Sequence, residues 1–182
     1  MSIRKFISLL FLVIFNIFIL KSQVLRRESL DLTKRKVPYF ELEDVNYGKI
    51  KQTDLIGKVV VLNFWGPNCS PCVEEIPELN KVVRKFKSQN VRFIGICPFN
   101  QWGKTMDKYK EFKEWLQKNE FLYTVCPVED NKFWVETFKA KIAPTHLIID
   151  DSGYIVYKYS GKISANDLSI AISKVLINNN IK

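Results

Sequence analysis

The stretch Asn63–Pro77, NFWGPNCSPCVEEIP, decides how the rest of the chain is interpreted. Its two cysteines, Cys69 and Cys72, are separated by two residues and follow a continuous apolar run typical of a strand buried on both faces. Apolar residues then recur at three- and four-residue spacing, which predicts a helix over 70–87, kinked at Pro77. A cysteine between a strand and a helix start is favoured as a thiolate.

A cysteine pair at this spacing has three uses: redox chemistry, a metal site or a structural disulfide. Zinc takes four ligands, but the chain has no second C-x-x-C, its one histidine is His146, and Cys97 and Cys126 are isolated in sequence. A purely structural bridge across two residues at a helix start is rare. We therefore predict a redox pair, with no metal and no cofactor.

Strand and helix patterns alternate outward from the pair. The turn at Asn46 and Gly48 predicts a β-hairpin, VRFIGIC and FLYTVC predict further strands, and periodicity over 106–116 predicts a helix. NKFWVETF predicts a short helix, THLIIDDSGYIVYKYSG a second hairpin, and SANDLSIAISKVLI a last helix with capping-box spacing. The predicted fold class is α/β, a central mixed sheet flanked by helices.

The net charge of +9 is concentrated at the N-terminus, where residues 1–36 hold eight Lys/Arg and two Asp/Glu. Residues 37–182 hold 20 Lys/Arg and 17 Asp/Glu, and no basic cluster is interleaved with aromatic residues. This distribution argues against nucleic-acid binding. It also indicates a charged linker over 23–36, followed by one domain over 37–182.

Residues 1–22 read as a targeting segment, because Arg4 and Lys5 precede an apolar run from Phe6 to Leu20. The run is shorter than the roughly 20 residues that span a bilayer. Three interpretations stay open: a signal peptide, a retained membrane anchor, or a buried helix of the fold. Either of the first two exports the domain to a compartment, such as the periplasm, where disulfides persist.

Four motifs in order, PYFEL, DLIGKVVVLNFW, CSPCVEEIP and APTHLIIDDSGYIVYKYSG, carry a resemblance. Residues 37–162 resemble the TlpA/ResA-like thiol–disulfide oxidoreductases, in the AhpC/TSA-redoxin-like branch of the thioredoxin superfamily. The resemblance implies a thioredoxin-like fold with an N-terminal β-hairpin and an insertion between the C-x-x-C unit and a cis-proline strand. It also implies an exported enzyme that reduces disulfides of extracytoplasmic proteins.

The resemblance assigns the catalytic roles. Cys69 attacks a substrate disulfide, and Cys72 resolves the mixed disulfide. Glu75 matches the family's active-site acid and moves protons for Cys72, whereas the alternative is a solvated helix carboxylate like its neighbour Glu74. Asn63 stands where cytosolic thioredoxins carry a buried aspartate, which favours a proton path through Glu75.

The resemblance also assigns the substrate-binding residues. Pro144 is the cis-proline opposite the cysteines, and the peptide at Ala143 offers its N–H and C=O to an extended substrate. Trp65 shields the disulfide and contacts the substrate, with a core aromatic as the alternative. His146 is interpreted as a strand residue rather than a copper ligand.

The implied partners are disulfide-containing proteins, among them apocytochrome c, and a membrane thiol-reducing electron donor. The enzyme is expected to be a monomer. Two alternatives stay open: a copper or haem-maturation thiol chaperone of the same fold, and a peroxiredoxin-like antioxidant. The peroxiredoxin alternative is disfavoured, because a peroxidatic cysteine is preceded by a Thr/Ser at three residues and a Pro at seven. In this chain, Gly66 and Leu62 occupy those positions before Cys69.

Cys97 and Cys126 end two predicted strands that a crossover helix would make parallel. Three interpretations remain: buried thiols that act as small apolar residues, a second disulfide, or a redox relay with Cys69.

Overall fold

A six-stranded sheet is built around the strand that leads to Cys69. The computed structural model describes residues 35–98 and 106–179. The described strands are β1 (Arg35–Lys36), β2 (Glu41–Glu43), β3 (Lys49–Lys51), β4 (Val59–Phe64), β5 (Val91–Pro98), β6 (Thr124–Val128), β7 (Thr145–Ile149) and β8 (Tyr154–Ser160). The described helices are α1 (Ser70–Glu74), α2 (Ile76–Lys85), α3 (Met106–Lys118) and α4 (Ala165–Asn179), with a 3-10 helix at Gln52–Leu55 and a π-helical turn at Phe133–Thr137.

The sheet is mixed, as the sequence predicts. Its strand order is β1-β8-β7-β4-β5-β6, in which β4, β5 and β6 are parallel, while β7, β8 and β1 pair antiparallel to their neighbours. The predicted N-terminal hairpin is the separate pair β2–β3. Its turn is held by the carboxylate of Asp44, which accepts the N–H groups of Asn46 and Gly48 at 2.7 and 3.0 Å.

The core lies on both faces of β4, all six residues of which are buried. Val60, Leu62 and Phe64 join the apolar cluster under the β2–β3 hairpin and the π-helical turn. Val59 and Val61 join the cluster under α2 and α4. Each fully buried aliphatic side chain contributes about 1.5–3 kcal/mol through the hydrophobic effect. The same alternation puts Asn63 on the face covered by the two helices.

The helix predicted over 70–87 is divided into α1 and α2 at Glu75. Pro77 lacks an N–H and cannot bond the carbonyl four residues earlier, so a break in this turn is expected. The sequence therefore predicts the break and its cause, and the structure places it two residues before the proline. The Glu75 side chain at the break is fully buried.

Two predicted boundaries are wrong. The strand predicted over FLYTVC starts later, at Thr124, so Cys126 lies in the middle of β6 rather than at its end. Phe121 and Tyr123 instead pack against each other, with ring centroids 5.2 Å apart. The boundary predicted at 36/37 is the other, because Arg35 and Lys36 form β1 against β8 and so belong to the sheet.

The targeting segment predicted over 1–22 and most of the linker lie outside the described residues. Across residues 35–98 and 106–179, no helix has both the length and the apolar character to cross a membrane.

Candidate active site

Cys69 and Cys72 form a disulfide at the start of α1. Cys69 directly precedes the first helical residue, where backbone N–H groups of the first turn lack helical partners. Its side chain is partly exposed, whereas Cys72 is only 2% exposed. An external thiol or disulfide can therefore reach Cys69 and is kept from Cys72.

The Ala143–Pro144 peptide bond is cis, as the resemblance implies. Pro144 is buried directly before β7, and β7 lies beside β4 in the sheet. A groove of about 470 Å³ runs between Cys69 and the segment that leads to the proline. Its lining includes Trp134, the exposed Ile142 and Ala143. The structure thus brings the predicted nucleophile and the predicted substrate-binding peptide to one groove.

Trp65 is buried, with 1% of its surface exposed. Its indole stacks on Trp115, with ring centroids 5.7 Å apart, and packs at a tilt against Phe121, with centroids 4.7 Å apart. It shares a buried apolar cluster with Cys72. The expected shielding of the disulfide fits this position. The core-aromatic alternative also describes these surroundings, and the expected contact with substrate stays a prediction.

Glu75 is fully buried, so the solvated-carboxylate alternative is wrong. Its Oε2 accepts the Ile163 N–H at 3.1 Å, and its Oε1 lies 3.5 Å from Asn63 Nδ2 and 3.0 Å from His146 Nε2. Glu75 follows Cys72 by three residues on helical backbone, a spacing that places two side chains on one face. The adjacent Glu74 is exposed and pairs with Lys162 at 2.9 Å.

The sequence did not predict that Glu75 belongs to a buried polar network. His146 faces Asn63 across β7 and β4, and the Tyr123 hydroxyl donates to Asn63 Oδ1 at 3.3 Å. Burial, and secondarily the charge of Glu75, raise the pKa of Tyr123 well above its usual value. The available signal was the presence of Asn63 and His146 inside otherwise apolar strands.

Cys97 and Cys126 are both free and buried, so the second-disulfide hypothesis is wrong. Their strands are parallel neighbours, as expected, but Cys126 is paired with Ile96 and Cys97 with Pro127. Consecutive strand residues point to opposite faces, so the two thiols lie on opposite sides of the sheet. The interpretation as buried thiols is confirmed, and the relay with Cys69 stays a prediction.

Burial raises the pKa of both thiols, that of Cys126 to about 12, so neither is a ready nucleophile. Within the described ranges, no group of three or more His, Cys, Asp or Glu side chains is arranged to hold a metal ion.

The fold is the thioredoxin-like fold. The structure resembles that of a thiol:disulfide interchange protein of the thioredoxin family from Chlorobium tepidum TLS, with a TM-score of 0.65 and 23% identity. That likeness covers 79% of this chain and 97% of the other.

Residues 33–158 match the AhpC/TSA family, so the chain belongs to that family. It is 29% identical over 149 residues to a thiol-disulfide oxidoreductase ResA of Bacillus cereus, covering 82% of this chain and 81% of that protein. It is 46% identical over 59 residues to the ResA of Bacillus subtilis strain 168, covering 32% of this chain and 33% of that protein. The resemblance to ResA-like proteins is confirmed, and with the Cys69–Cys72 pair it defines a thiol–disulfide oxidoreductase.

Proposed function

We propose that the protein is an exported reductase of protein disulfides that works through a Cys69/Cys72 dithiol. One observation carries the proposal: a partly exposed Cys69, bonded to a buried Cys72, opens onto a groove beside the cis-proline peptide. This arrangement gives a substrate one accessible sulfur and a surface to lie on.

The reaction proceeds in two exchanges. In the first, the Cys69 thiolate attacks one sulfur of the substrate disulfide, a bond forms between the two sulfurs, and the other substrate sulfur leaves as a thiolate. In the second, Cys72 loses its proton and attacks the Cys69 sulfur. The Cys69–Cys72 disulfide forms, and the second substrate sulfur leaves, so two electrons have passed to the substrate.

Glu75 is the proposed acceptor of the Cys72 proton. Cys72 is buried away from water, and the buried Glu75 carboxylate follows it by one helical turn. A base within reach of the thiol raises the fraction that can attack, because the thiolate is the nucleophile. Without such a group, the second exchange would have to release a proton directly from an apolar cluster.

The groove supplies the proposed substrate contacts. Backbone groups at Ala143, beside the cis bond, suit an extended peptide that pairs as an added strand. The exposed Ile142 offers an apolar surface along the same groove. We therefore expect substrates that present a disulfide in an extended or unfolded segment, apocytochrome c being one such protein.

The proposed electron donor follows from the redox chemistry, and the proposed location follows from the N-terminal sequence. Each turnover leaves the Cys69–Cys72 disulfide, so a second dithiol must reduce it. The apolar run from Phe6 to Leu20 supports export, as signal peptide or anchor, and exported compartments lack a soluble reductant pool. The proposed electron donor is therefore a membrane thiol protein, and the enzyme acts as a monomer.

Insulin reduction by the full-length chain tests the proposal, with a dithiol as the electron source. The wild-type protein should catalyse turnover, and Cys69→Ser should remove it. Cys72→Ser should instead accumulate a mixed disulfide between Cys69 and the substrate, because the resolving thiol is missing. Wild-type turnover no greater than that of Cys69→Ser would refute the reductase proposal.

A further inference from the structure

His146, the single histidine of the chain, is fully buried in β7, two residues after Pro144. Its neighbours across the sheet are Asn63 on β4 and Tyr159 on β8. A buried imidazole needs polar partners, because an unpaired polar group in the interior is costly. The polar groups that face its two ring nitrogens therefore indicate the role of His146.

The two ring nitrogens face different groups. Nε2 lies 3.0 Å from Oε1 of Glu75, close but outside hydrogen-bond alignment, so Nε2 is a buried polar atom without a hydrogen bond in the described structure. Nδ1 lies 3.4 Å from Nδ2 of Asn63. The 3.0 Å between Nε2 and Oε1 is within the distance range of an N–H···O hydrogen bond.

Asn63 fixes the tautomer of the imidazole. The Tyr123 hydroxyl donates to Asn63 Oδ1, which leaves Nδ2 directed at His146 Nδ1 and at Glu75 Oε1. An amide nitrogen only donates, so Nδ1 of the neutral imidazole is the acceptor and Nε2 carries the hydrogen. Turning the amide over would set its oxygen against the carboxylate. The Nε2 hydrogen therefore belongs on the side of Glu75.

We propose that His146 is a positioning residue that acts through Glu75: its Nε2–H stabilises the ionised carboxylate that receives the Cys72 proton. This inference rests on the proposed function. In the step concerned, the Cys72 S–H bond breaks, and the proton goes to a Glu75 oxygen. The Cys72 sulfur forms the bond to Cys69, while the bond between Cys69 and the substrate breaks and the substrate sulfur leaves as a thiolate. His146 itself takes no proton.

Other groups around the pair do not replace this donor. The Ile163 N–H already occupies Oε2, and the Asn63 amide donates to Oε1 only at the long distance of 3.5 Å, against 3.0 Å between Oε1 and His146 Nε2. Glu74 and Lys162, which adjoin Glu75 and Ile163 in the chain, pair with each other at the surface.

Two further titratable side chains lie near the pair. Glu78, one turn along α2, pairs with Lys81 and accepts the Ala165 N–H, and these two interactions lower the pKa of Glu78. Tyr159 faces His146 from β8.

The first test is the pH profile of single-turnover oxidation of the reduced full-length chain by oxidised glutathione. In His146→Leu, the Glu75 carboxylate loses this donor, so the acid limb of the profile should move to higher pH. His146→Gln keeps a side-chain N–H, so most of the displacement should be absent in this variant. An unmoved limb in His146→Leu, or an equal displacement in both variants, overturns the inference.

Asn80→Ala is the matched control for a purely structural effect. Asn80 is also buried and polar, but its amide bonds the Glu120 carbonyl and the Leu122 N–H instead of the active-site network. This variant should lose stability without moving the limb. A displaced limb in Asn80→Ala would show that destabilisation alone moves the profile and would overturn the assignment.

The second test does not depend on activity or on changing His146. Because the chain has one histidine, ¹⁵N labelling gives one pair of ring-nitrogen signals. We expect a protonated Nε2 and an unprotonated Nδ1, with an Nε2 signal that changes in Glu75→Gln and on reduction of the disulfide. Identical Nε2 signals in the wild type and Glu75→Gln overturn the inference, whereas absent insulin reduction refutes only the proposed function.

Discussion

At the residue scale, the proposed chemistry depends on one buried carboxylate, that of Glu75. Glu75→Gln keeps the size of the side chain and an oxygen for the Ile163 N–H, so the fold should persist. An amide cannot take the Cys72 proton, and positioned acid–base groups contribute about 10²–10⁴-fold to rate. We expect thiol–disulfide exchange at least about tenfold slower, with the acid limb of its pH profile lost. Stopped-flow kinetics across the acid and neutral pH range measures this, and an unchanged profile would contradict the role.

A second residue-scale feature is the missing side chain at Gly95, which makes room for the aromatic cluster behind the disulfide. A Cβ there would lie 2.9 Å from Trp65 Nε1 and 3.0 Å from Tyr123 Cε2, both below normal contact. The rings cannot move freely, because Trp65 is buried among other aromatic residues. Gly95→Ala should therefore lower the free energy of unfolding by about 1–3 kcal/mol. Denaturant unfolding measures the loss, and unaltered stability would show that the cluster adapts.

At the element scale, Asn80 joins α2 to the segment that follows α3. Its Nδ2 donates to the Glu120 carbonyl at 2.7 Å, and its Oδ1 accepts the Leu122 N–H at 3.2 Å. Leaving both backbone groups without this partner costs about 1–3 kcal/mol, so Asn80→Ala should lower the denaturation midpoint. Asn178→Ala, on the exposed side of α4, is the control and should change stability by less than about 0.5 kcal/mol. Equal losses of stability in the two variants would argue that the Asn80 hydrogen bonds do not stabilise the contact between α2 and the segment after α3.

Most elements around the site are predictable because each has a local signal. The period-two and continuous apolar patterns locate the strands, the helical spacing locates the helices, and the lack of an N–H at Pro77 predicts a helix break. The capping interaction predicted before α4 is confirmed, since Ser164 Oγ accepts the Asp167 N–H at 3.1 Å. The start of β6 was missed because an apolar run such as FLYTVC has the same composition whether its aromatic residues pair in a sheet or pack beside it.

The polar network is not predictable in this way. His146 meets Asn63 only because β7 pairs with β4 in one register, 83 positions apart in the chain. A shift of one residue would turn His146 to the other face of the sheet. Strand register also determines that Cys97 and Cys126 form no disulfide. They are offset by one residue in the pairing of β5 with β6, so their side chains lie on opposite faces of the sheet.

At the scale of the whole molecule, the sheet divides the protein into two buried layers with different tasks. The layer under the hairpin and the π-helical turn is apolar and contains Cys126, whose thiol pKa is raised by burial. The other face carries Cys72, Trp65 and the network around Glu75. The cis-proline peptide and Cys69 meet at the groove where a substrate would lie. The fold thus exposes the Cys69 sulfur in part and buries both Cys72 and the proposed proton acceptor, Glu75.

The reduction potential of the Cys69/Cys72 pair in the full-length chain tests the central claim, that the dithiol reduces protein disulfides, most directly. It is measured by equilibration with glutathione buffers, with Cys69→Ser as the blank. A reductase should have a potential below about −200 mV, toward the roughly −270 mV of thioredoxin. A value near about −120 mV, as in a strong thiol oxidant, would contradict the direction of electron flow proposed here.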